Sequence, residues 1–480
     1  MAGSAVSLIG WRFPFNAPVP GELRGANFSL GHRRSRGDFP SPSEDVRVDV
    51  LIVGGGVAAL SAARRLQAAG VESIAIVELE SDVGGNAIGE RNEVSAYPWG
   101  AHYLPLPNNS NVALLKLLEE LKVATLGAKP EYQEEHLCAS PQERLHIYGK
   151  WQDGLVPRRG VARGEQTQLD RFHSITDELC HARGADGKFL FDIPLDNSSQ
   201  DPDNLHLDTI TMREWLVSQG LTAPELHWYV NYCCRDDYGT SYEETSAWAG
   251  LHYFCARRAD PLHADSDTVL TWNEGNHWLV REMRSRLHAT IYPETIAYRI
   301  DTRPDNSSTA YCYSTRTGKS SRVTAKACVL AVPRFVRDRL TGATEPAQLS
   351  YAPWIVSNIT LSAPPRGAGA KLCWDNVVYK SRLLGYVHAK HQSLEQVITD
   401  TVITYYYPMS EYPPDMARMI AYNASLSELQ GIFLKELTTV HPELEGHITR
   451  ADVWIWAHAM ARPTTNTIWG TLRNVEKLAP

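Results

Sequence analysis

The residues best suited to chemistry lie close together near the start of the chain. Residues 48–66 read VDVLIVGGGVAALSAARRL, an apolar strand, three glycines and a helix that opens on small residues. This order suits a dinucleotide. Gly54 allows the tight turn out of the strand, and Gly55 and Gly56 keep the backbone bare so that it can approach a pyrophosphate. Ala58 and Ala59 follow, and Ala59 takes the third small position, where helix and sheet pack closely. Unpaired N–H groups and the positive dipole end at the helix start offset phosphate charge without a lysine. A second β-rich run ends on Glu78, 24 residues after Gly54, with Leu79 beside it. An acid there can accept hydrogen bonds from both ribose hydroxyls. Gly84-Gly85 and Asn86 come next.

The spacing from Glu78 to Gly84-Gly85 resembles the E-x5-G-G element of FAD enzymes in the amine oxidase, phytoene desaturase and protoporphyrinogen oxidase group. That resemblance implies FAD as cofactor. The group places arginine after the doublet; here Asn86 stands there. YPWGAHYLP (Tyr97 to Pro105) is similar to the group's segment beside the isoalloxazine, which implies cofactor contacts from Trp99, Gly100 and Ala101 and puts His102 at the flavin edge. Pro98 and Trp99 replace its usual aspartate. The stretch from Thr271 to Ile300 resembles a glycine loop, helix and strand in which Ile296 would meet the adenine edge. VTAKACVLAVPRFVRDRL and WIWAHAMARP resemble two further elements, so the likeness runs in order over residues 46–463. Two departures matter. Many amine oxidases carry a lysine on a strand matching WIVSNITLS, which here has Ser357 and Asn358 near its place, so C–C dehydrogenation is expected over simple amine oxidation. After Pro463 only 17 residues follow, without the group's acidic turn and Ser-Gly helix start, so an open groove with exposed apolar side chains is expected there.

Other clusters carry weaker signals. His102 is the candidate catalytic residue, since a histidine can exchange a proton near neutral pH. Trp99, Tyr103, Trp374 and Tyr405 to Tyr407 are candidate aromatic walls, although 13 tryptophans mean that most are core. Arg235-Asp236-Asp237 reads as a structural ion pair more than a charge-binding site. His388-x-x-His391 has no third ligand, and no metal site is expected. Eight cysteines form no disulfide framework, and Cys233-Cys234 read as small packers.

With 480 residues, 43% hydrophobic and 21% charged, the chain can bury the cores of two domains. A net charge of −8 argues against a nucleic-acid partner, which clustered cations would hold. Arg33, Arg34 and Arg36 read as a solvated linker. No apolar run is long enough to span a membrane. MAGSAVSLIGW lacks a basic n-region and a cleavage site, so a soluble, cytoplasmic protein is expected, with export open if the true start lies upstream.

The elements that must position these residues read as βαβ first, helices in the middle, then strands. The expectation is an α/β fold: a Rossmann-like FAD-binding domain, discontinuous in sequence, with an α+β substrate domain containing a mixed sheet. Residues 1–45 read as an irregular leader, 46–107, 268–345 and 450–480 as FAD-binding parts, the last truncated, and 108–267 and 346–449 as substrate-domain parts. The stretch 152–168 reads as a loop; 208–220 and 426–442 read as helices. The functional expectation is hydride transfer from a C–H bond of a small, apolar substrate to flavin N5. A nicotinamide-dependent dehydrogenase and a non-catalytic relative are the alternatives.

Overall fold

A computed structural model describes residues 19–34, 37–305, 307–342, 349–395 and 397–470. Two sheets organise them. The six-stranded sheet runs Thr290–Tyr292, Ile74–Val77, Glu44–Val53, Ser320–Leu330, Ser308–Ser314, Thr295–Thr302 in spatial order. Its first four strands are parallel, and the last three form an antiparallel meander that shares the long Ser320–Leu330 strand. The alternation within Glu44–Val53 explains its double burial. Val50 and Ile52 face the Val57–Ala68 helix with Leu60 and Ala63, and Leu51 and Val53 face the meander with Ala297 and Ala310. A parallel strand covered on both faces reads as an unbroken apolar run, as LIV does here.

The eight-stranded sheet is mixed. Its centre is Tyr351–Leu361, bonded antiparallel to both Thr401–Tyr407 and Ile448–Ala461. Helices Pro414–Asn423 and Leu426–Val440 cover one face, where Ile355, Ile359, Phe433 and Leu437 pack. The second of these helices starts with a capping box, Ser425 to Glu428. The other face holds Trp99, Trp354, Tyr406 and Val402, and is the side from which the site is built.

A helical module closes the far side of that face: Arg163–His181, Met212–Ser218, Pro224–Tyr238 and Ala247–Cys255 around Phe172, Leu216 and Trp248. Helix Met212–Ser218 has the expected threonine cap, Thr211 with Glu214. The expected loop at 152–168 ends early, because Arg163–His181 is helical. Its first turn is polar throughout, and its apolar side chains begin only at Leu169, so the start carries no hydrophobic period.

Two expected boundaries differ from the structure. The leader is not irregular throughout: Leu23–Gly25 pairs parallel with Ile448–Ala461, and Phe28–Arg33 is a helix capped by Asn27. Short pieces stabilised by distant partners leave no local pattern. Arg33 pairs with Asp38 and Arg34 donates to the Tyr298 carbonyl, so these two are docked rather than solvated; Arg36 and the first 18 residues lie outside the described residues. The piece from 450 to 461 belongs to the eight-stranded sheet, not to the six-stranded one. Beyond it, the Asn466 and Trp469 amides donate to Asp208, which directs the chain onto the helical module. Among the described residues no helix is long and apolar enough to cross a membrane.

One glycine joins the module to the large sheet. Gly239 ends helix Pro224–Tyr238 at φ +60°, and a Cβ there would lie 2.4 Å from Trp354 Nε1 and 2.8 Å from Ala352 Cβ. Gly239→Ala combines left-handed strain with overpacking and should cost about 2–4 kcal/mol. Equilibrium urea unfolding checks this; an unchanged midpoint would show that the junction yields.

Candidate functional site

The three glycines form the turn between strand Glu44–Val53 and helix Val57–Ala68. Gly54 adopts φ +97°, and a Cβ on it would lie 2.3 Å from the Ala331 carbonyl oxygen. The next strand passes too close for any side chain. Gly56 caps helix Val57–Ala68 in an extended conformation, and no side chain caps that end. Ala58 is exposed at the helix start, whereas Ala59 is fully buried against the sheet. Gly84-Gly85 completes the cradle. The Gly84 amide donates to the Gly55 carbonyl at 2.9 Å, and a Cβ on Gly85 would stand 3.1 Å from Gly56 Cα. Two bare backbone turns therefore meet in front of an open helix N-terminus, a geometry suited to a pyrophosphate.

Glu78 lies at the end of the adjacent strand with 8% exposure. Its carboxylate accepts from the Gly55 amide at 2.5 Å and the Glu80 amide at 2.8 Å. Burial outweighs these bonds and raises its pKa to about 6. Leu79 is half-buried next to it. The Thr295 amide donates to the Glu78 carbonyl at 2.8 Å, which brings Ile296 from a remote part of the sequence to the acid. Residues that fit a ribose and an adenine edge are thus together.

The segment from Pro98 to Tyr103 crosses between the two sheets, and six consecutive carbonyls are each held by a donor. Asn358 Nδ2 holds Pro98 at 2.9 Å, Trp456 Nε1 holds Trp99 at 2.6 Å, and the Tyr406 hydroxyl holds Gly100 at 3.1 Å. The Asn276 amide holds Ala101 at 3.0 Å, Thr271 Oγ1 holds His102 at 3.2 Å, and Asn276 Nδ2 holds Tyr103 at 2.9 Å. Asn86 contributes its carbonyl to the Ala101 amide at 2.9 Å, while its side chain donates to the Ala459 carbonyl. In place of a phosphate-reaching arginine, the chain has an amide that ties the cradle to the large sheet. Asn358 likewise serves structure: its carbonyl accepts from Thr404 at 2.6 Å, and no lysine occupies WIVSNITLS. The Trp99 ring is fully buried between Tyr97 and Trp454, and its amide donates to the Ile88 carbonyl at 2.9 Å, so Trp99 serves packing.

His102 opens on a cavity of ≈ 180 Å³. Its ring stacks on Tyr406 at 4.6 Å and leans on Trp374 at 5.4 Å. Burial lowers its pKa to about 4, which favours the neutral ring at pH 7. Tyr103, Tyr232 and Tyr253 add further walls. Tyr405 and Tyr407 instead point into the opposite core, as strand alternation requires.

Part of the remaining lining is acidic, beside Leu155, Val269, Leu384 and Val387. Glu143, Asp236, Asp267 and Asp375 face the cavity together with one cation, Arg257. Burial and the neighbouring Asp237 raise the Asp236 pKa to about 7, and burial and Glu143 raise Asp375 well above the carboxylate range. Arg257 pairs with Asp237 at 3.5 Å and reaches the Tyr103 hydroxyl at 3.3 Å. The sequence analysis missed Glu143, Asp267, Asp375 and Arg257, which come from separate segments with no shared spacing. It also misplaced Arg235, which donates to Ser410 Oγ at 2.8 Å and to the Ser381 and Arg382 carbonyls instead of pairing with its neighbours. His388 is buried with neither ring nitrogen bonded, and His391 bonds the Ala139 carbonyl. Among the described residues no group of three or more His, Cys, Asp or Glu side chains could hold a metal.

Comparison with known proteins agrees with this architecture. Residues 52–121 match the family model of an NAD(P)-binding Rossmann-like domain. A search of curated protein sequences gives no significant match. Among solved structures, cyclohexylamine oxidase from Brevibacterium oxydans IH-35A aligns at TM-score 0.61 and 15% identity, over 88% of this chain and 90% of that one. Putrescine oxidase bound to putrescine aligns at 0.58 and 16%, over 84% of each chain. A CLA-producing fatty acid isomerase from P. acnes aligns at 0.58 and 17%, over 90% and 91%. The chain has the α/β fold of the amine oxidase group.

The pinned segment makes a direct prediction. Asn358→Ala leaves the buried Pro98 carbonyl without its donor and should cost about 1–3 kcal/mol. Urea unfolding measures the loss, and Asn358→Asp should not restore stability, because an ionised carboxylate cannot donate to that carbonyl.

Proposed function

We propose that this chain is an FAD-dependent oxidoreductase acting on a C–H bond of a small substrate that carries a positive charge. The observation that carries the reading is the cavity itself, in which four carboxylates and a single arginine adjoin His102. The fit to FAD rests on the bare double-glycine cradle, the uncapped helix start, and Glu78 next to Ile296. A nicotinamide dehydrogenase would not require the Gly84-Gly85 turn packed on Gly56. The amine oxidase fold, shared with proteins named as amine oxidases and a fatty acid isomerase, supports the flavin reading.

Bound FAD would supply a two-electron acceptor at flavin N5. This chain's own residues do the rest. Helix Val57–Ala68 and the glycine turns would hold the pyrophosphate, and Glu78 the ribose. The fixed carbonyls of Pro98 to Tyr103 set the depth of the cofactor edge. His102, Tyr406 and Trp374 form a neutral aromatic wall that excludes water from the reacting carbon. Asp236, Asp375 and Glu143 hold the substrate cation.

The substrate expected from sequence was apolar; a carboxylate-lined cavity points instead to a charged one. It also argues about which bond reacts. A carboxylate partner favours the protonated form of an amine, and a protonated nitrogen has no lone pair with which to assist removal of hydride from the adjacent carbon. The ammonium therefore acts as an anchor, and the C–H bond that reacts lies away from it. The absence of lysine from WIVSNITLS agrees with C–C dehydrogenation.

Anaerobic bleaching of the FAD-loaded chain tests this with matched substrates: saturated or polyene chains with and without an ammonium group. Bleaching by the cationic members supports the reading. Equal bleaching by neutral ones, or rapid turnover of a simple primary amine with peroxide release, would overturn it. In the same preparation Glu78→Ala should weaken FAD by about 1.5–3 kcal/mol, seen as flavin lost on dialysis, since bonds to a charged acceptor are removed.

Charge in the cavity gives a pH dependence with a fixed sign. Asp236 has its folded pKa raised to about 7, so it is protonated below that value and anionic above it. Affinity for a cationic ligand should rise with pH from about 5 to 7, by no more than about tenfold per unit for one proton released. Isothermal titration of a non-reacting cationic ligand at several pH values measures this. Asp236→Asn should flatten the profile, and a wild-type profile already flat would rule out Asp236 as the cation's partner.

A further inference from the structure

Helices Arg163–His181 and Ala247–Cys255 pack together in the helical module, with Cys180 and Cys255 in the same apolar cluster. Each thiol reaches for the other's helix. Cys180 Sγ donates to the Phe254 carbonyl at 3.5 Å, and Cys255 Sγ donates to the Thr176 carbonyl, one turn before Cys180, at 3.5 Å. Because Phe254 precedes Cys255 and Thr176 lies one turn before Cys180, these contacts set the two thiols at the same level of the paired helices. We propose that Cys180 and Cys255 form a redox-active dithiol, a modification site that closes to a disulfide across the two helices when a hydroperoxide reaches it.

The two sulfurs are unequal in the way such chemistry needs. Cys180 is part-exposed, and Cys255 has no exposure. The Arg258 guanidinium nearby favours a thiolate at Cys180. Of the other cysteines, Cys138, Cys233, Cys234, Cys312, Cys328 and Cys373 are all pushed up by burial. Thiolate character and access together select the nucleophile, and both fall on Cys180.

The reaction balances with hydrogen peroxide as oxidant. The Cys180 thiolate attacks a peroxide oxygen, the O–O bond breaks, and the departing hydroxide takes the thiol's proton to leave as water, giving a sulfenic acid. Cys255 sulfur then attacks that sulfur, the S–O bond breaks, and the hydroxyl leaves as a second water with the Cys255 proton. Two thiols are oxidised to one disulfide, and one peroxide is reduced to two waters. The site lies at the end of the helix that leads into Arg257, and Arg258 Nη1 donates to the Cys255 carbonyl at 2.7 Å, so the bond would fasten the backbone that carries the cavity's cation.

Treatment of the full chain with limiting hydrogen peroxide, followed by unfolding, alkylation and non-reducing peptide mapping, tests this. Expected is a linked pair of peptides containing Cys180 and Cys255, with a mass loss of two hydrogens reversed by dithiothreitol. It should form at least about tenfold faster than oxidation of Cys328, the other part-exposed thiol. Cys255→Ser should trap Cys180 as a sulfenic acid that dimedone captures, and Cys180→Ser should leave Cys255 unmodified. Both thiols remaining alkylatable while another cysteine oxidises, or no dimedone adduct in folded Cys255→Ser, would overturn the proposal.

Discussion

The rest of the site depends on the six fixed carbonyls of Pro98 to Tyr103. A segment crossing between two sheets belongs to neither ladder, and its buried polar groups must find partners elsewhere. Here the donors come from both bodies: Asn358, Trp456 and Tyr406 from the large sheet, Thr271 and Asn276 from the strand and helix cap beside the cradle. Each bond is modest, about 1 kcal/mol net, yet at the buried Pro98 and Trp99 losing the donor leaves a carbonyl with its full desolvation cost. That asymmetry fixes the segment in depth and direction. It also fixes the distance between the glycine turns at one end and a cavity at the other, because Asn86 links those turns to the same segment.

The cavity at the far end is held open at a cost. Carboxylates facing one another out of water raise each other's proton affinity, and Asp236 and Asp375 both show it. For an acid whose folded pKa lies above its unfolded value, stability is greatest while it stays protonated and falls as pH rises toward the folded pKa. Asp236 thus makes the empty fold less stable between about pH 4 and 7. A cluster built for packing alone would have been replaced by apolar residues of similar volume at no loss. Repulsion of this kind is relieved by a cation, which ties the local instability of the free protein to its affinity for a charged ligand.

What the sequence made legible follows from the range of the forces involved. The glycine turns and the Thr211 cap could be read because each is decided by backbone sterics or by partners three or four residues away, and Glu78 because it ends a strand at a fixed spacing from those turns. The cavity could not. Glu143, Asp236, Asp267 and Asp375 converge only after two sheets and a helical module have packed, and no local period marks them. The same holds for Leu23–Gly25, whose strand exists only because Ile448–Ala461 offers a free edge, and for the helix starting at Arg163, whose polar first turn is stabilised by packing that begins later. Asn86 was visible as a departure, but its partner Ala459 lies 373 residues away.

The aromatic and the acidic parts of the cavity lining differ in what they favour. At His102 the wall is aromatic, and the histidine is neutral because burial has driven its pKa to about 4. That wall carries no formal charge and suits an apolar carbon. The Asp236 and Asp375 part does the reverse, and Arg257 beside it is already committed to Asp237 and Tyr103. On the proposed reading, the ligand that satisfies both has a cationic group set apart from its reacting carbon. Selection by such a cavity is therefore a matter of charge spacing more than of size, since an unpaired buried charge costs several kcal/mol whereas one methylene too few costs about one.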